Sequence, residues 1–236
     1  FEFLRAEGAS TQYTAYTRTP AEDRRARSAQ QMQAVEVSRR AGMLTTRWFL
    51  MSNTMFTAIP RTTAAQAYRA FLGLDIAKME GLTPVAGEPV DYDVRGVGAP
   101  ECARCHSTLD PLTYPFAYYS GIGGERPRVG PSTYVSDRPS RFVQAETPAI
   151  ARVPEAGVLF GQRVSSVGEW ARVAADSEAF ARATVLDYWR LFLGSDPTPA
   201  QQATFERLWR DFMTTHDHRV ERLLRALVKT EAYRVP

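Results

Sequence analysis

Residues Cys102 to His106 read Cys-Ala-Arg-Cys-His, and this stretch contains both cysteines of the 236-residue chain. The spacing Cys-x-x-Cys-His is typical of the segment to which a c-type haem is attached. Two thiols a short turn apart can reach the two vinyl groups on one edge of a porphyrin. The histidine that follows then lies under the iron as its proximal ligand. The motif therefore predicts one covalently bound haem c, held by Cys102, Cys105 and His106.

The two thiols also allow three other interpretations. A zinc site needs about four ligands, and the remaining histidines, His216 and His218, lie far along the chain. A redox-active dithiol of the thioredoxin kind belongs in a βαβ setting, for which the sequence shows no pattern. A plain disulfide between Cys102 and Cys105 is compatible with an oxidising compartment. The five-residue pattern favours haem because it uses every cysteine of the chain.

The composition is that of a folded protein. Hydrophobic residues make up 44% of the chain, which is enough to form the core of one large or two small domains. No apolar run approaches the roughly 20 residues that cross a bilayer. The formal net charge is +3, and the acidic residues are interspersed with the basic ones, so no basic stripe of the kind that binds nucleic acid is visible. We expect no nucleic-acid partner and no transmembrane segment within this chain.

The cell compartment is inferred from the motif, because haem is attached to such motifs outside the cytoplasm as a rule. We therefore expect a periplasmic or extracellular location, although no signal peptide is visible. Because the sequence begins at Phe1 and not at Met, we expect a processed form or a fragment of something longer.

Capping signals and apolar spacing predict a mainly α-helical chain. Helices are expected over residues 20–41, 63–72, 167–175 and 178–193, the last of these capped by Ser177 and ended by Gly194. A further helix is expected to open at Thr198-Pro199, and a last one is expected with Asp217 as its N-cap. Residues 81–164 are dense in Gly and Pro and predict a long irregular zone that contains the haem motif. Short links between the last three long helices favour a small antiparallel bundle.

These patterns divide the chain into three predicted parts. Residues 1–42 form an N-terminal extension with a polar helix, and residues 43–164 form a loop-rich domain that binds haem c. Residues 165–236 form a C-terminal helical module.

The second axial ligand of the iron is less clearly marked than the first. A methionine would give a high reduction potential, a histidine a lower one, and an open position would allow ligand chemistry. The candidates are Met43, Met51, Met55, Met79, Met213, His216 and His218. We favour Met51 or Met55 as the metal ligand, because both lie in an apolar segment that precedes the motif.

An apolar and aromatic stretch follows the motif and is expected to surround the haem. Leu109, Pro111 and Tyr114 are its predicted cofactor contacts. Such a shell excludes water and raises the potential of the iron, although the same residues would also serve as an ordinary core. We expect the backbone carbonyl of Asp110 or Pro111 to accept a hydrogen bond from the His106 ring and so fix its tautomer.

Further short motifs surround the haem motif in a fixed order. They are Ala41–Thr46 before it, then Asp110-Pro111, the aromatic stretch Tyr114–Tyr119, Ile122-Gly123 and the turn Gly157–Gly161. This order resembles the C-terminal haem-binding, cytochrome c-like modules of large secreted planctomycete and myxobacterial proteins, which are domains of unknown function. The resemblance covers residues 38 to 234. It implies a cytochrome c-like fold with long loops and one haem, but no particular substrate.

The chain departs from that family at several positions. Thr113 stands where the family has glycine, and Ala117 and Ser120 replace acidic residues in the aromatic stretch. The insert over residues 124–154 is also long for the family. These differences affect the rim of the haem site and any surface that contacts a partner.

Three functions are compatible with this pattern. We favour a mono-haem c-type cytochrome domain or subunit that passes electrons to a redox partner protein within a larger extracytoplasmic complex. A haem enzyme, such as a peroxidase or an oxygenase, would need an open iron and a distal acid or base, which the sequence does not clearly place. A structural subunit stapled by its haem is the third hypothesis, and it is compatible with the first.

Overall fold

The computed structural model describes residues 37–53, 59–78, 84–120, 133–134 and 152–234. Within these ranges the chain is mainly helical, as the sequence predicts. The α-helices are α1 (Arg47–Ser52), α2 (Arg61–Ala67), α3 (Pro100–Thr113), α4 (Val167–Ala175), α5 (Glu178–Leu193), α6 (Gln202–Met213), α7 (Val220–Leu227) and α8 (Glu231–Arg234). In the same ranges β1 (Tyr119–Ser120) pairs antiparallel with β2 (Thr133–Tyr134), and β3 (Gly157–Leu159) pairs antiparallel with β4 (Gln162–Val164). The sequence patterns do not predict these strands.

The chain divides into two compact units. The first unit consists of Phe1–Ala64 and Gly81–Ala171, and the second consists of Ala65–Glu80 and Arg172–Pro236. Residues 65–80, which the sequence analysis assigns to the haem-binding domain, thus belong to the unit that contains the C-terminal helices. None of the helices in the described ranges has the length and apolar character needed to span a membrane.

The Cys-x-x-Cys-His motif lies on a regular helix, so the prediction of one irregular zone over residues 81–164 is wrong for this segment. Helix α3 has Pro100 at its first position and Glu101 in its first turn. Both suit a helix start, because proline presets φ there and an acidic side chain interacts well with the positive end of the helix dipole. The helix gives a weak sequence signal because Cys, His, Thr and Asp have low helix propensity and Pro111 lies inside it.

The β3–β4 hairpin packs against α3 and the turn that follows α3. Phe160 and Gly161 join its two strands with φ values of +50° and +76°. Positive φ at both central positions is what a two-residue type I′ hairpin turn requires. Gly157, at the start of β3, approaches the backbone of Pro111 and the ring of Pro115 so closely that it has no room for a side chain. The predicted Gly157–Gly161 turn is therefore a hairpin that supports the helix with the motif.

Aromatic packing fills the interior of the first unit. The rings of Phe116 and Trp170 meet edge to face with centroids 5.6 Å apart. Ile59, Tyr114, Ala117 and Val153 form a neighbouring buried cluster. The segment after α3 is thereby anchored to the core of this unit.

Helices α5, α6 and α7 form the core of the second unit. Its buried side chains are Ala181, Val185, Trp189, Phe205, Leu208, Trp209, Phe212, Leu223 and Leu227. Helix α5 has the predicted bounds: Ser177 Oγ accepts a hydrogen bond from the Phe180 amide (3.1 Å), and Gly194 ends the helix with φ of +76°. The helix predicted to open at Thr198-Pro199 is also present: it begins with a short 3-10 turn (Pro199–Gln201), which leads into α6.

The last predicted cap is wrong. Helix α7 begins at Val220 with Arg219 at the N-cap position, and among the described residues no side chain caps it. Asp217 and His218 instead have φ values of +52° and +54°. An N-cap residue adopts extended backbone geometry, so Asp217 serves the turn between α6 and α7 and not the start of α7.

Two further predicted helices have different bounds. The helix expected over residues 63–72 begins two residues earlier, at Arg61, and its last turn (Tyr68–Leu72) is a π-helix. Most of the helix expected over residues 20–41 lies outside the described residues. Its described end is a 3-10 turn (Val37–Arg39), so the predicted α-helix does not extend to Ala41.

Replacing Ser177 with alanine is expected to destabilise the second unit by about 1 kcal/mol, because the substitution removes the side-chain acceptor at the start of α5. Urea denaturation followed by circular dichroism measures this change. The matched control is Ser195→Ala, which changes an exposed serine in the turn after α5. Equal effects of the two substitutions would contradict the role of the cap.

Candidate functional site

One face of α3 carries the residues of the motif. Side chains three and four positions apart lie on the same side of a helix, so Cys102, Cys105, His106 and Leu109 form a stripe. All four are half-buried, and both cysteines are free thiols. The stripe therefore places two thiols, an imidazole and an apolar side chain next to one another on a partly open surface.

Asp110 orients the His106 ring from the next turn of α3. The Nδ1 atom of His106 lies 2.9 Å from the Oδ1 atom of Asp110. An ionised carboxylate only accepts hydrogen bonds, so Nδ1 carries the proton and Nε2 keeps its lone pair for a metal. The prediction that a backbone carbonyl of Asp110 or Pro111 accepts this hydrogen bond is therefore wrong. On a helix the side chain four residues later reaches the ring, whereas the nearby carbonyls are aligned with the helix axis.

The Asp110 carboxylate is completely buried, and Arg61 binds both of its oxygens. The distances are 2.7 Å from Arg61 Nε to Oδ1 and 2.8 Å from Nη2 to Oδ2. A third nitrogen, Nη1, lies 3.0 Å from Oδ2 of Asp93. A buried charge is tolerated when it is paired and hydrogen-bonded. The paired guanidinium therefore accounts for a carboxylate in the interior, next to His106.

The electrostatics of Arg61 follow from the same contacts. Burial alone would lower the pKa of its guanidinium, but the hydrogen bonds and negative charges of Asp110 and then Asp93 outweigh burial and raise this pKa. Arg61 therefore stays charged, and the cluster of Arg61, Asp93 and Asp110 contains one cation and two carboxylates.

Sequence reasoning missed Arg61 and Asp93. Only the spacing of Asp110 four residues after His106 could have indicated a contact, and only if the motif had been assigned to a helix.

The three predicted cofactor contacts lie in different environments. Leu109 is half-buried on the face that carries the motif, whereas Pro111 and Tyr114 are buried in the protein interior. The Tyr114 hydroxyl donates to Glu88 Oε2 at 2.6 Å, and its ring packs edge to face on Tyr92 with centroids 5.8 Å apart. These contacts make Tyr114 part of the core beneath α3, and its contact with a cofactor stays a prediction.

Replacing Tyr114 with phenylalanine is expected to lower the free energy of unfolding by about 2 kcal/mol at neutral pH, because the hydrogen bond to a charged acceptor is lost. Burial, followed by the hydrogen bond and charge of Glu88, raises the pKa of the Tyr114 hydroxyl. In the unfolded chain this hydroxyl ionises near its ordinary pKa of about 10. The stability that it contributes is therefore complete below about pH 10 and is lost as the pH rises further.

The measurement is the free energy of unfolding of the native chain and of Tyr114→Phe between pH 7 and pH 11. The difference between the two proteins should shrink as the pH rises above about 10, where the unfolded hydroxyl begins to ionise. Tyr233→Phe is the control, because Tyr233 is 44% exposed. A difference that stays constant over the whole range would contradict the assignment.

The predicted distal ligands are only partly described. Met51 lies on α1 and is 36% exposed, and Met55 lies outside the described residues. Of the other candidates, Met43 is exposed in the first unit, Met79 lies outside the described residues, and Met213, His216 and His218 belong to the second unit. Met51 or Met55 as the distal ligand stays a prediction.

In the part of the chain that the structure describes, no group of three or more His, Cys, Asp and Glu side chains is placed to hold a metal ion. No model of a protein family, no curated protein and no solved structure matches the chain.

Proposed function

We propose that this chain is a mono-haem c-type cytochrome module that transfers electrons outside the cytoplasm. The observation that carries the proposal is the shared face of α3, which holds two free thiols and an imidazole whose Nδ1–H is bonded to Asp110. The Cys-x-x-Cys-His spacing on that face is the attachment pattern of haem c. A histidine that binds a metal typically donates a hydrogen bond from its other ring nitrogen to a carboxylate or a carbonyl.

Each residue of the site has a distinct role in this proposal. Cys102 and Cys105 would hold the haem through thioether bonds to its two vinyl groups, and His106 would bind the iron through Nε2. Asp110 holds the imidazole in one tautomer and one orientation, and Leu109 borders the ring on the same face. When bound, the haem supplies an iron that changes between the ferric and ferrous states and so carries one electron.

A single haem implies a partner. One centre exchanges electrons only with a second centre within tunnelling reach, so we propose that the module works beside a redox partner protein, as a domain or subunit of a larger assembly. Covalent attachment of haem places this assembly in the periplasm or outside the cell. The partly open face of α3 is compatible with such an exchange, because an exposed haem edge shortens the distance to a partner.

The experiment that tests the proposal is expression of the whole chain in a host that attaches haem in its periplasm. Visible and near-infrared spectra are then recorded on the oxidised and reduced protein, and haem is counted after denaturation. We expect a c-type spectrum and one haem per chain that stays attached in denaturant. A methionine–iron charge-transfer band would identify a methionine as the distal ligand. A chain that never carries haem would overturn the proposal and leave Cys102 and Cys105 as candidates for a disulfide.

A haem enzyme is the second candidate, and one specific observation favours it. The carboxylate of Asp110 on Nδ1 makes the imidazole of His106 a more basic ligand. A strongly donating proximal ligand suits chemistry at an open iron as well as electron transfer. Adding carbon monoxide to the reduced protein separates the two functions: rapid binding indicates an open iron and favours the enzyme, whereas no binding favours the electron carrier.

A further inference from the structure

We propose that Arg61 is a positioning residue that sets the reduction potential of the haem iron through Asp110 and His106. This inference rests on the proposed function and concerns the regulation of the same site. It starts from the continuous hydrogen-bonded chain that connects Arg61, Asp110 and His106 inside the first unit.

The key geometric feature is a shared oxygen. Oδ1 of Asp110 accepts from Arg61 Nε at 2.7 Å and lies 2.9 Å from His106 Nδ1. The guanidinium and the imidazole therefore compete for the same acceptor. Arg61 also binds the second oxygen, Oδ2, at 2.8 Å, so its charge lies against the whole carboxylate. The side chain of Asp110 is only 1% exposed, and water does not screen these interactions effectively.

The direction of the effect follows from the charges. A carboxylate that accepts the Nδ1–H of an iron-bound histidine draws the proton towards itself and makes Nε2 a stronger electron donor. A stronger donor stabilises the ferric state and lowers the potential. Arg61 offsets part of the negative charge of Asp110 and thereby weakens this effect. In the native chain the iron therefore has a higher potential than the Asp110–His106 pair alone would give it.

Asp93 reduces the effect that the positive charge of Arg61 has on Asp110. Its Oδ2 accepts from Arg61 Nη1 at 3.0 Å, on a nitrogen that makes no contact with Asp110. Its side chain is 3% exposed, and its other oxygen, Oδ1, is buried and has no hydrogen-bond partner among the described residues. Asp93 therefore draws part of the guanidinium charge away from Asp110. It is expected to act on the iron in the same direction as Asp110, but through one more residue and more weakly.

The test is the midpoint potential of the haem-loaded full chain, measured by spectroelectrochemistry at one fixed pH. We expect Arg61→Gln to lower the potential and Asp110→Asn to raise it. Each shift should reach at least a tenfold change in the reduction equilibrium, about 59 mV for one electron. Asp93→Asn should raise the potential by less than Asp110→Asn does. Arg61→Lys keeps the charge and should retain most of the native potential. A purely structural role of Arg61 would not explain that result.

The matched control is Arg190→Gln. It also removes one arginine that is paired with an aspartate, Asp196, but it does so on the exposed surface of the second unit. Its potential should equal that of the native chain. A shift in the same direction for Arg61→Gln and Asp110→Asn, or no shift for Arg61→Gln beyond that of Arg190→Gln, would overturn the inference.

A second measurement does not need haem. In a nitrogen-15-labelled chain with Cys102→Ser and Cys105→Ser, long-range proton–nitrogen spectra report the tautomer of His106. We expect the Nδ1–H tautomer, and its loss in the same chain with Asp110→Ala. A chain that takes up no haem would overturn the proposed function together with this inference. A haem-loaded chain with a c-type spectrum and no effect of Arg61→Gln would overturn this inference alone.

Discussion

Replacing Cys102 and Cys105 together with serine is expected to abolish covalently bound haem completely. Serine is close to cysteine in size at these half-buried positions on α3, but its hydroxyl does not form the thioether bonds that would hold the haem of the proposed function. Because the chain contains no other cysteine, no remaining thiol can replace them. The measurement is haem staining after denaturing electrophoresis, together with the absorption spectrum of the purified protein.

The chain offers a control for this experiment within the motif itself. Arg104 lies between the two cysteines and is exposed, so Arg104→Ala should retain one covalent haem per chain. Each single cysteine variant should retain at most one thioether bond and show a shifted spectrum. A double serine variant that still carries haem after denaturation would contradict the assignment of the thiols.

Replacing Gly157 with alanine is expected to destabilise the first unit by about 3 kcal/mol, at the upper end of the usual cost of overpacking. An added Cβ would overlap the carbonyl oxygen of Pro111 and come within 2.5 Å of the Pro115 ring. Neither neighbour can rotate away, because one is helix backbone and the other is a proline ring. The strain has to be taken up by moving β3 away from α3, the helix that carries the haem motif. Thermal or urea denaturation of the full chain measures the loss.

Gly168→Ala is the matched control for this substitution. Gly168 lies in the first turn of α4, and an added Cβ there would have only ordinary contacts, the nearest at 3.7 Å. Alanine is the better helix former by about 1 kcal/mol, so this variant should be as stable as the native chain or more stable. Equal losses at both positions would show that the close approach of β3 to α3 does not limit the side chain at position 157.

Local signals predicted the helices of the second unit well. Ser177 and Gly194 mark the two ends of α5, and the structure has the helix between them. Such signals succeed because a capping side chain and a helix-ending glycine act within a few residues of the chain. They failed at Asp217, where two successive residues with positive φ form the turn. The sequence around Asp217 shows a suitable cap residue but not the path that the chain takes into α7.

The candidate site was only half predictable. The motif marks Cys102, Cys105 and His106 as candidates, because the pattern depends on spacing within one short segment, and their role in binding haem stays a prediction. Arg61 is separated from Asp110 by 49 residues, and Asp93 lies in a loop without a local pattern. No periodicity relates residues so far apart in the chain, so only the tertiary structure shows that Arg61 pairs with Asp110 and Asp93.

The sequence by itself therefore determined the mainly helical character, several helix ends and the three residues that make haem c the expected cofactor. Each of these depends on interactions between residues that are close in the chain. The tertiary structure alone decided that the motif lies on α3, that β3 packs against it without room for a side chain at Gly157, and that Arg61 shares an oxygen of Asp110 with His106. The last two features depend on contacts between distant segments: Gly157 meets the backbone of Pro111 and the ring of Pro115, and the buried carboxylate of Asp110 needs a charged, hydrogen-bonding partner, which Arg61 supplies.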